Sequence, residues 1–274
     1  MNIKIVVVLF NKKLNESKTL VTLTSQVQAV LEKKHQLNIY DNSKLPCLNS
    51  SDLKLLESNY YVNYKHNKNN LPLSTIYKEQ FDLLSSDEYL LLLDDDSKLP
   101  DDYISNFIST RKTLSSLSGI VFVPKVITHS SLISPYKSFF VFSKPYNSNG
   151  FSEKVFAMNS GIFIPKFNDL NLFVYPEYAK FYGTDTVLFE FLHFRKVKIY
   201  VLDSYIQHDL SFHPDNDKVQ YLSSLVKVIC FWREHYSFGL ISQFFFKVYL
   251  FMLSIKLSIK YKTLINLFNI GTNS

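Results

Sequence analysis

The sequence predicts an α/β domain, a mainly parallel sheet flanked by helices, that ends in a C-terminal helical appendage. Three observations predict it. Short apolar and β-branched runs alternate with longer helix-like stretches through the first half, the pattern of strands joined by crossover helices. The apolar run Tyr89 to Leu93 leads straight into three carboxylates, as a buried strand does when it surfaces at a site. From Lys218 onward the chain reads as helix, with an aromatic and aliphatic run, Phe244 to Ile259, broken by Lys247 and Lys256. At 274 residues and 46% hydrophobic content, the chain can bury one large core plus a small appendage, which fits better than two equal domains.

The elements follow in order. Ile5 to Leu9 predicts a strand and Ser17 to Lys34 a helix, followed by the strand Leu37 to Tyr40 and the short stretch Leu53 to Glu57. Tyr60 to Tyr64 predicts a strand, Leu73 to Leu84 a helix, and Tyr89 to Leu93 a strand; a helix starts after Pro100, and Ile120 to Val123 is a strand. Thr128 to Ser152 is rich in Ser, Pro, Asn and Tyr and reads as a long surface excursion or irregular insertion. Regular structure is expected again at Val155 to Met158 and Ile162 to Ile164, then a helix over Thr184 to Phe194 and a strand over Val197 to Leu202. The catalytic unit is expected to span residues 1–213 and the helical extension 214–274. In the extension the longest uninterrupted apolar stretch, Val248 to Ile255, falls far short of the roughly 20 residues of a spanning helix. The tail is therefore expected either to lie in a membrane interface or to pack on the catalytic domain or a second subunit.

A net charge of +6 favours an anionic partner, for which nucleic acid, nucleotide phosphates and a lipid surface all qualify. No basic motif interleaved with aromatics points to nucleic acid, so none is expected. Cys47 and Cys230 lie far apart with no Cys or His at metal-ligand spacing, which suggests neither a disulfide framework nor a zinc site. The opening run Ile3 to Phe10 is interrupted by Lys4 and closed by Asn11, Lys12 and Lys13, unlike a signal peptide, so a cytoplasmic protein is expected.

Ligands of such sheets sit beyond the carboxyl ends of the strands, here Leu9-Phe10-Asn11, Tyr40-Asp41-Asn42 and Leu93-Asp94-Asp95-Asp96. Strand alternation puts Asp94 and Asp96 on one side and Asp95 on the other. Carboxylates this close repel one another unless a cation lies among them, and hard ions such as Mg²⁺ or Mn²⁺ take oxygen ligands. The competing reading is a solvated acidic loop capping the helix after Pro100.

The segment Asp94-Asp95-Asp96 resembles the Asp-x-Asp signature of the family 2 glycosyltransferases, which have the A-type nucleotide-sugar-binding fold, Rossmann-like in its parallel sheet. The flanking segments resemble the family in type and order over roughly residues 1–235. Val6 to Asn11 resembles its first strand and nucleotide-binding turn, which implies donor contacts from Phe10 and Asn11. Ile39-Tyr40-Asp41-Asn42-Ser43 resembles the second strand end, where Asp41 would meet the nucleobase, and Asn70-Leu71-Pro72 resembles the Asn-x-Gly segment, implying donor binding by Asn70. Pro72 stands there in place of Gly, and Lys78 in place of a frequent second Asn. Asn159-Ser160-Gly161 resembles the Ser-Gly strand beneath the acceptor site, and Gly183-Thr184-Asp185 the acidic catalytic segment. The Trp232-Arg233-Glu234-His235 region resembles the family's C-terminal helix.

The resemblance implies a metal-dependent inverting enzyme of surface polysaccharide biosynthesis, most like bacterial rhamnosyl and related hexosyl transferases. A UDP or dTDP sugar would be the donor and a glycan or lipid-linked glycan the acceptor. Asp185 is the implied base, with Glu177 and Glu190 as alternatives; a carboxylate in a first helical turn also suits a purely capping role. Asp96 is the implied metal ligand, Asp94 and Asp95 assist on the donor side, and His208 completes the metal site, with His213 as competitor. Two other readings are an inactive nucleotide-sugar binder or scaffold, and a phosphohydrolase with an Asp-x-Asp pair; the latter's pair follows the first strand and precedes Gly, unlike this triplet.

Overall fold

The computed structural model describes residues 1–26, 34–128, 131–208 and 218–270. The first half alternates as predicted: Asn2–Leu9 (β1), Lys18–Thr24 (α1), His35–Asp41 (β2), Ser50–Glu57 (α2), Tyr60–His66 (β3), Leu73–Asp82 (α3), Glu88–Asp94 (β4). Ser97–Lys98 (β5), Tyr103–Thr113 (α4) and Ile120–Thr128 (β6) follow, then four short strands, Ser131–Ser134 (β7), Tyr136–Phe139 (β8), Phe142–Pro145 (β9) and Gly150–Ser152 (β10). Ile162–Pro165 (β11), Thr184–Phe194 (α5), Lys198–His208 (β12), Lys218–His235 (α6) and Leu240–Tyr261 (α7) complete the chain.

One sheet runs β10-β12-β6-β11-β4-β1-β2-β3. The block β4-β1-β2-β3 is parallel, and β11 enters antiparallel between β4 and β6. Strand period 2 feeds two cores. From β4, Leu90 and Leu92 face the layer of α3 and α5, while Tyr89, Leu91 and Leu93 face that of α1 and α4. Truncating any of these fully buried leucines to Ala should cost roughly 2–5 kcal/mol. This double coverage explains the uninterrupted apolar run that ends at Asp94.

Three expectations change. The excursion after Thr128 is structured: β7 returns on β6, β8 and β9 form a hairpin, and β10 edges β12. Its pairing comes from tertiary neighbours, which local periodicity does not report. Val155 to Met158 is not a strand; Phe156 makes one bridge, to Tyr136. The strand expected to stop at Leu202 continues to His208, past a register shift between Val201 and Tyr205 opposite Pro124. Proline has no N–H to give the ladder, so the partner strand buckles there and resumes.

Asn49 starts α2 by accepting from the amides of Ser51 and Asp52, while Asp52 accepts from the Asn49 amide at 3.0 Å. The predicted helix Ser17 to Lys34 is described only to Thr24, residues 27–33 lying outside the described residues, as do His213 and the 213/214 boundary. In the extension α6 and α7 pack through Tyr221, Leu225, Ile229, Phe246, Leu250 and Leu257. The structure joins the apolar run across Lys247 and Lys256 into a single 22-residue helix, long and apolar enough by length and composition to cross a membrane. That corrects the length read from the uninterrupted stretch alone.

Candidate functional site

β4 ends at Asp94, and Asp95 and Asp96 make the turn into β5. The three carboxylates part company there, on the sides that alternation predicts. Asp95 turns toward the end of β1, where its Oδ2 accepts from the Phe10 amide at 2.9 Å and its Oδ1 pairs with Lys12 Nζ at 2.6 Å. Asp94 and Asp96 turn the other way and meet His208, their potential ligand atoms all within 4.8 Å of one another. His208 arrives because β5 pairs antiparallel with the end of β12, His208 opposite Ser97.

Neutral hydroxyls fix this turn. Ser17 Oγ donates to the Asp95 carbonyl at 2.8 Å while capping α1 through the Leu20 amide. Thr19 Oγ1 donates to the carbonyl of Asp94 and accepts from the Ser97 amide at 3.0 Å. Ser160 Oγ accepts from the Asp94 amide at 3.2 Å and lies 2.5 Å from Ser97 Oγ, which in turn lies 2.9 Å from His208 Nδ1. The next residue, Gly161, has φ +93, and a Cβ there would come within 2.3 Å of Ile206 Cδ1, so the Ser-Gly pair needs its glycine.

One buried atom in this network goes begging. Asp96 Oδ1 makes no hydrogen bond, although His208 Nδ1 stands 3.2 Å away. Burial pushes the Asp94 carboxyl up to about 7, with Asp96, Asp95 and Asp185 adding to the rise and His208 opposing it. Burial also raises Asp96, against His208. Two raised carboxyls, an orphaned oxygen and an imidazole fit a hard divalent cation, Mg²⁺ or Mn²⁺, which takes oxygen with one imidazole.

A cleft of about 860 Å³ opens over these residues, lined by Phe10, Asn42, Asn70, Asp94, Asp95 and Asp96 on the sheet side. Lys227, Cys230 and Glu234 of α6 line it opposite. Beside it lies a second cavity of about 310 Å³ that shares Asp94 and His208 and reaches Asp185, Asn159 and Trp232. Asp185 sits in the first turn of α5, its Oδ1 accepting from the Thr186 amide at 2.8 Å, and burial raises its carboxyl against that bond. Near it burial holds the Tyr77 and Tyr175 hydroxyls well above their usual range, with the Asp185 charge adding to the rise. The turn into α5 has Gly183 at φ +74, and Phe231 of α6 fills the space a Cβ would take.

Most of the predicted residues converge, but two do not. Asp41 is fully buried and does not line the cleft; its oxygens accept from the Ser43 amide at 3.0 Å, the Cys47 amide at 2.7 Å and the Tyr64 hydroxyl at 2.5 Å. Those bonds hold its carboxyl below the usual range despite burial. In this structure Asp41 holds the 43–47 turn, and Asn42, which bonds both amide and carbonyl of Leu71, lines the cleft beside it. Asn11 lies at φ 54 with its amide on Ser43 Oγ, a turn residue outside the cleft lining. Asn70 also has positive φ, 48, and does line it. Of the alternative bases, Glu177 is exposed beside Lys180, and Glu190 bonds His235 Nε2 at 3.0 Å. Lys78 points away, to Asp82 and the Asn171 carbonyl. Sequence reasoning missed Ser97, Thr19 and Lys12, ordinary hydroxyls and a lysine whose roles exist only once β1, α1 and β5 meet.

No family model matches the chain, and no curated protein matches it. Solved structures do. GalNAc-T7, solved with UDP, GalNAc and Mn²⁺, superposes with a TM-score of 0.52 over 96% of this chain at 14% identity. The chain spans 58% of that protein's length. Residues 1–349 of Staphylococcus aureus TarS, solved with UDP-GlcNAc, give 0.53 at 13% identity, covering 87% of this chain and 74% of that one. A longer TarS chain gives 0.52 over 88% of this chain and 44% of its own length. At such identities the likeness shows a shared fold, the A-type fold of these glycosyltransferases.

Proposed function

We propose that this chain, an A-type glycosyltransferase fold, transfers a sugar from a UDP or dTDP sugar to a hydroxyl of a glycan or lipid-linked glycan, with inversion, in surface polysaccharide synthesis. The observation that carries the reading is Asp96 Oδ1, buried and without a hydrogen bond beside Asp94 and His208, at the mouth of a cleft large enough for a nucleotide sugar. GalNAc-T7 with UDP and Mn²⁺, and TarS with UDP-GlcNAc, support the donor class and the cation.

Asp96, Asp94 and His208 would hold Mg²⁺ or Mn²⁺, which when bound neutralises charge on the departing nucleoside diphosphate. The chain's own groups do the rest. Phe10, with Asn42 and Asn70, walls the donor cleft, and Asp95 braces the end of β1 through the Phe10 amide and Lys12. The smaller cavity receives the acceptor, where Asp185, raised by its dry surroundings, takes the proton of the attacking hydroxyl. Attack from the Asp185 side and departure toward the larger cleft gives a single displacement with inversion. Residues 1–213 form the transfer unit and 214–274 the extension, and the site belongs to the cytoplasm.

Thermal stabilisation of the purified chain by UDP, dTDP and GDP, each with and without Mn²⁺, tests this reading. One nucleotide should raise Tm only with metal, and the shift should vanish in Asp96→Ala. No shift with any nucleotide returns the molecule to the scaffold and phosphohydrolase readings. Metal-dependent hydrolysis of the matching nucleotide sugar separates an enzyme from a mere binder.

A further inference from the structure

We propose that α7 docks this protein on an anionic lipid surface, lying in the plane of the interface rather than through the bilayer. The helix has two unlike apolar faces. Phe246, Leu250 and Leu257 are buried against α6. On the opposite side Leu240, Phe244, Phe251, Ile255 and Ile259 fall at helical spacing and are 46–86% exposed. Monomeric surfaces seldom leave so continuous an apolar stripe open to water.

Charge selects the occupant. At 100° per residue Lys247 and Lys256 stand on opposite margins of the exposed stripe, both exposed and, among the described residues, without an ion-pair partner. Such margins let the stems follow the apolar surface while the ammonium groups reach a headgroup layer. From Leu240 to Ile270 there is no acidic residue. A second copy docked face to face would therefore bring lysine toward lysine with nothing of opposite sign, whereas anionic headgroups supply the missing partner. Spanning fits worse, because one side of α7 is already spent on α6, and Lys247 and Lys256, about 14 Å apart along the axis, would lie inside the hydrocarbon. Since α6 lines the donor cleft on one side and carries α7 on the other, a single helix separates the site from the lipid-facing stripe.

Flotation of the full chain with phosphatidylcholine vesicles, with and without phosphatidylglycerol, tests the proposal and needs neither donor nor metal, so it stands or falls apart from the sugar-transfer reading. Binding should require phosphatidylglycerol, weaken about five-fold for each of Lys247→Gln and Lys256→Gln, and disappear in the Phe251→Gln, Ile255→Gln double variant. Because these side chains are exposed, the variants should keep the wild-type circular dichroism and Tm. Failure of the wild-type chain to float, or flotation unchanged in the double variant, overturns the proposal. So does a dimer in sedimentation equilibrium that the double variant dissolves, which would make the stripe a subunit contact. Binding that resists alkaline carbonate would mean insertion and overturn the in-plane geometry.

Discussion

At the carboxyl end of β4 folding has gathered charge, and along α7 it has left grease, and neither region is at rest in water. The acidic turn is held by hydroxyls and amides from β1, α1, β5 and β11's approach, yet one oxygen of Asp96 makes no hydrogen bond. On α7 the reverse holds: few polar bonds, one packed face, and an exposed stripe from Leu240 to Ile259. Burial of polar groups without partners and exposure of apolar area both cost free energy, so what each region lacks names its ligand. On the readings proposed above, a cation would complete the first and an anionic interface the second.

Removing the orphan should break or make this contrast most sharply. Asp96→Ala is expected to lower transfer about 10³-fold, the scale of losing a main charge stabiliser, while Tm of the metal-free protein stays level or rises. A Tm lower by several degrees would mean the carboxylate is structural and the contrast false. Next, Gly183→Ala should cost about 2–4 kcal/mol, because its Cβ would meet the Phe231 ring at 2.0 Å with φ at +74. Chemical denaturation reads that loss, and an unchanged midpoint would detach α6 from the site.

Titration sharpens the contrast further. Asp94 is held up to about 7 when folded, above its ordinary value of 3.8, so the folded chain keeps a proton that the unfolded chain releases. Metal-free stability should then fall as pH rises from about 4 to about 7, and Asp94→Asn should flatten that slope. Mn²⁺ should oppose it, since ligation needs the ionised form. Melting curves across that range in chelator suffice, and the α7 variants should keep the wild-type slope. The smallest effect is expected from Lys12→Met, which breaks a partly exposed ion pair to Asp95 worth about 1 kcal/mol or less and should raise the donor KM a few-fold. An unchanged KM would show that the Lys12–Asp95 pair does not support donor binding.

Much of this was legible in the residues. The mainly parallel sheet, β4 with its acidic end, and α5 from Thr184 to Phe194 all follow from periodicity that tertiary packing happened to endorse. The A-type fold followed from the ordered motifs. The hairpin β8–β9 was hidden because neither strand alternates strongly, and the reach of β12 to His208 was hidden because it depends on a buckle opposite Pro124. The direction of the Asp41 carboxylate was hidden too, because a motif fixes where a residue stands in sequence, whereas Cys47 and Tyr64 decide where its oxygens turn.

The ring of Phe231 above Gly183 bears on how the molecule can be dissected. The same side chain belongs to the main core and faces both cavities. A chain cut after residue 217 would lose the ceiling over Asp185 and admit water to a carboxyl that burial holds above its ordinary range. The extension is thus a wall of both cavities, and a shortened chain that preserves them has to keep α6.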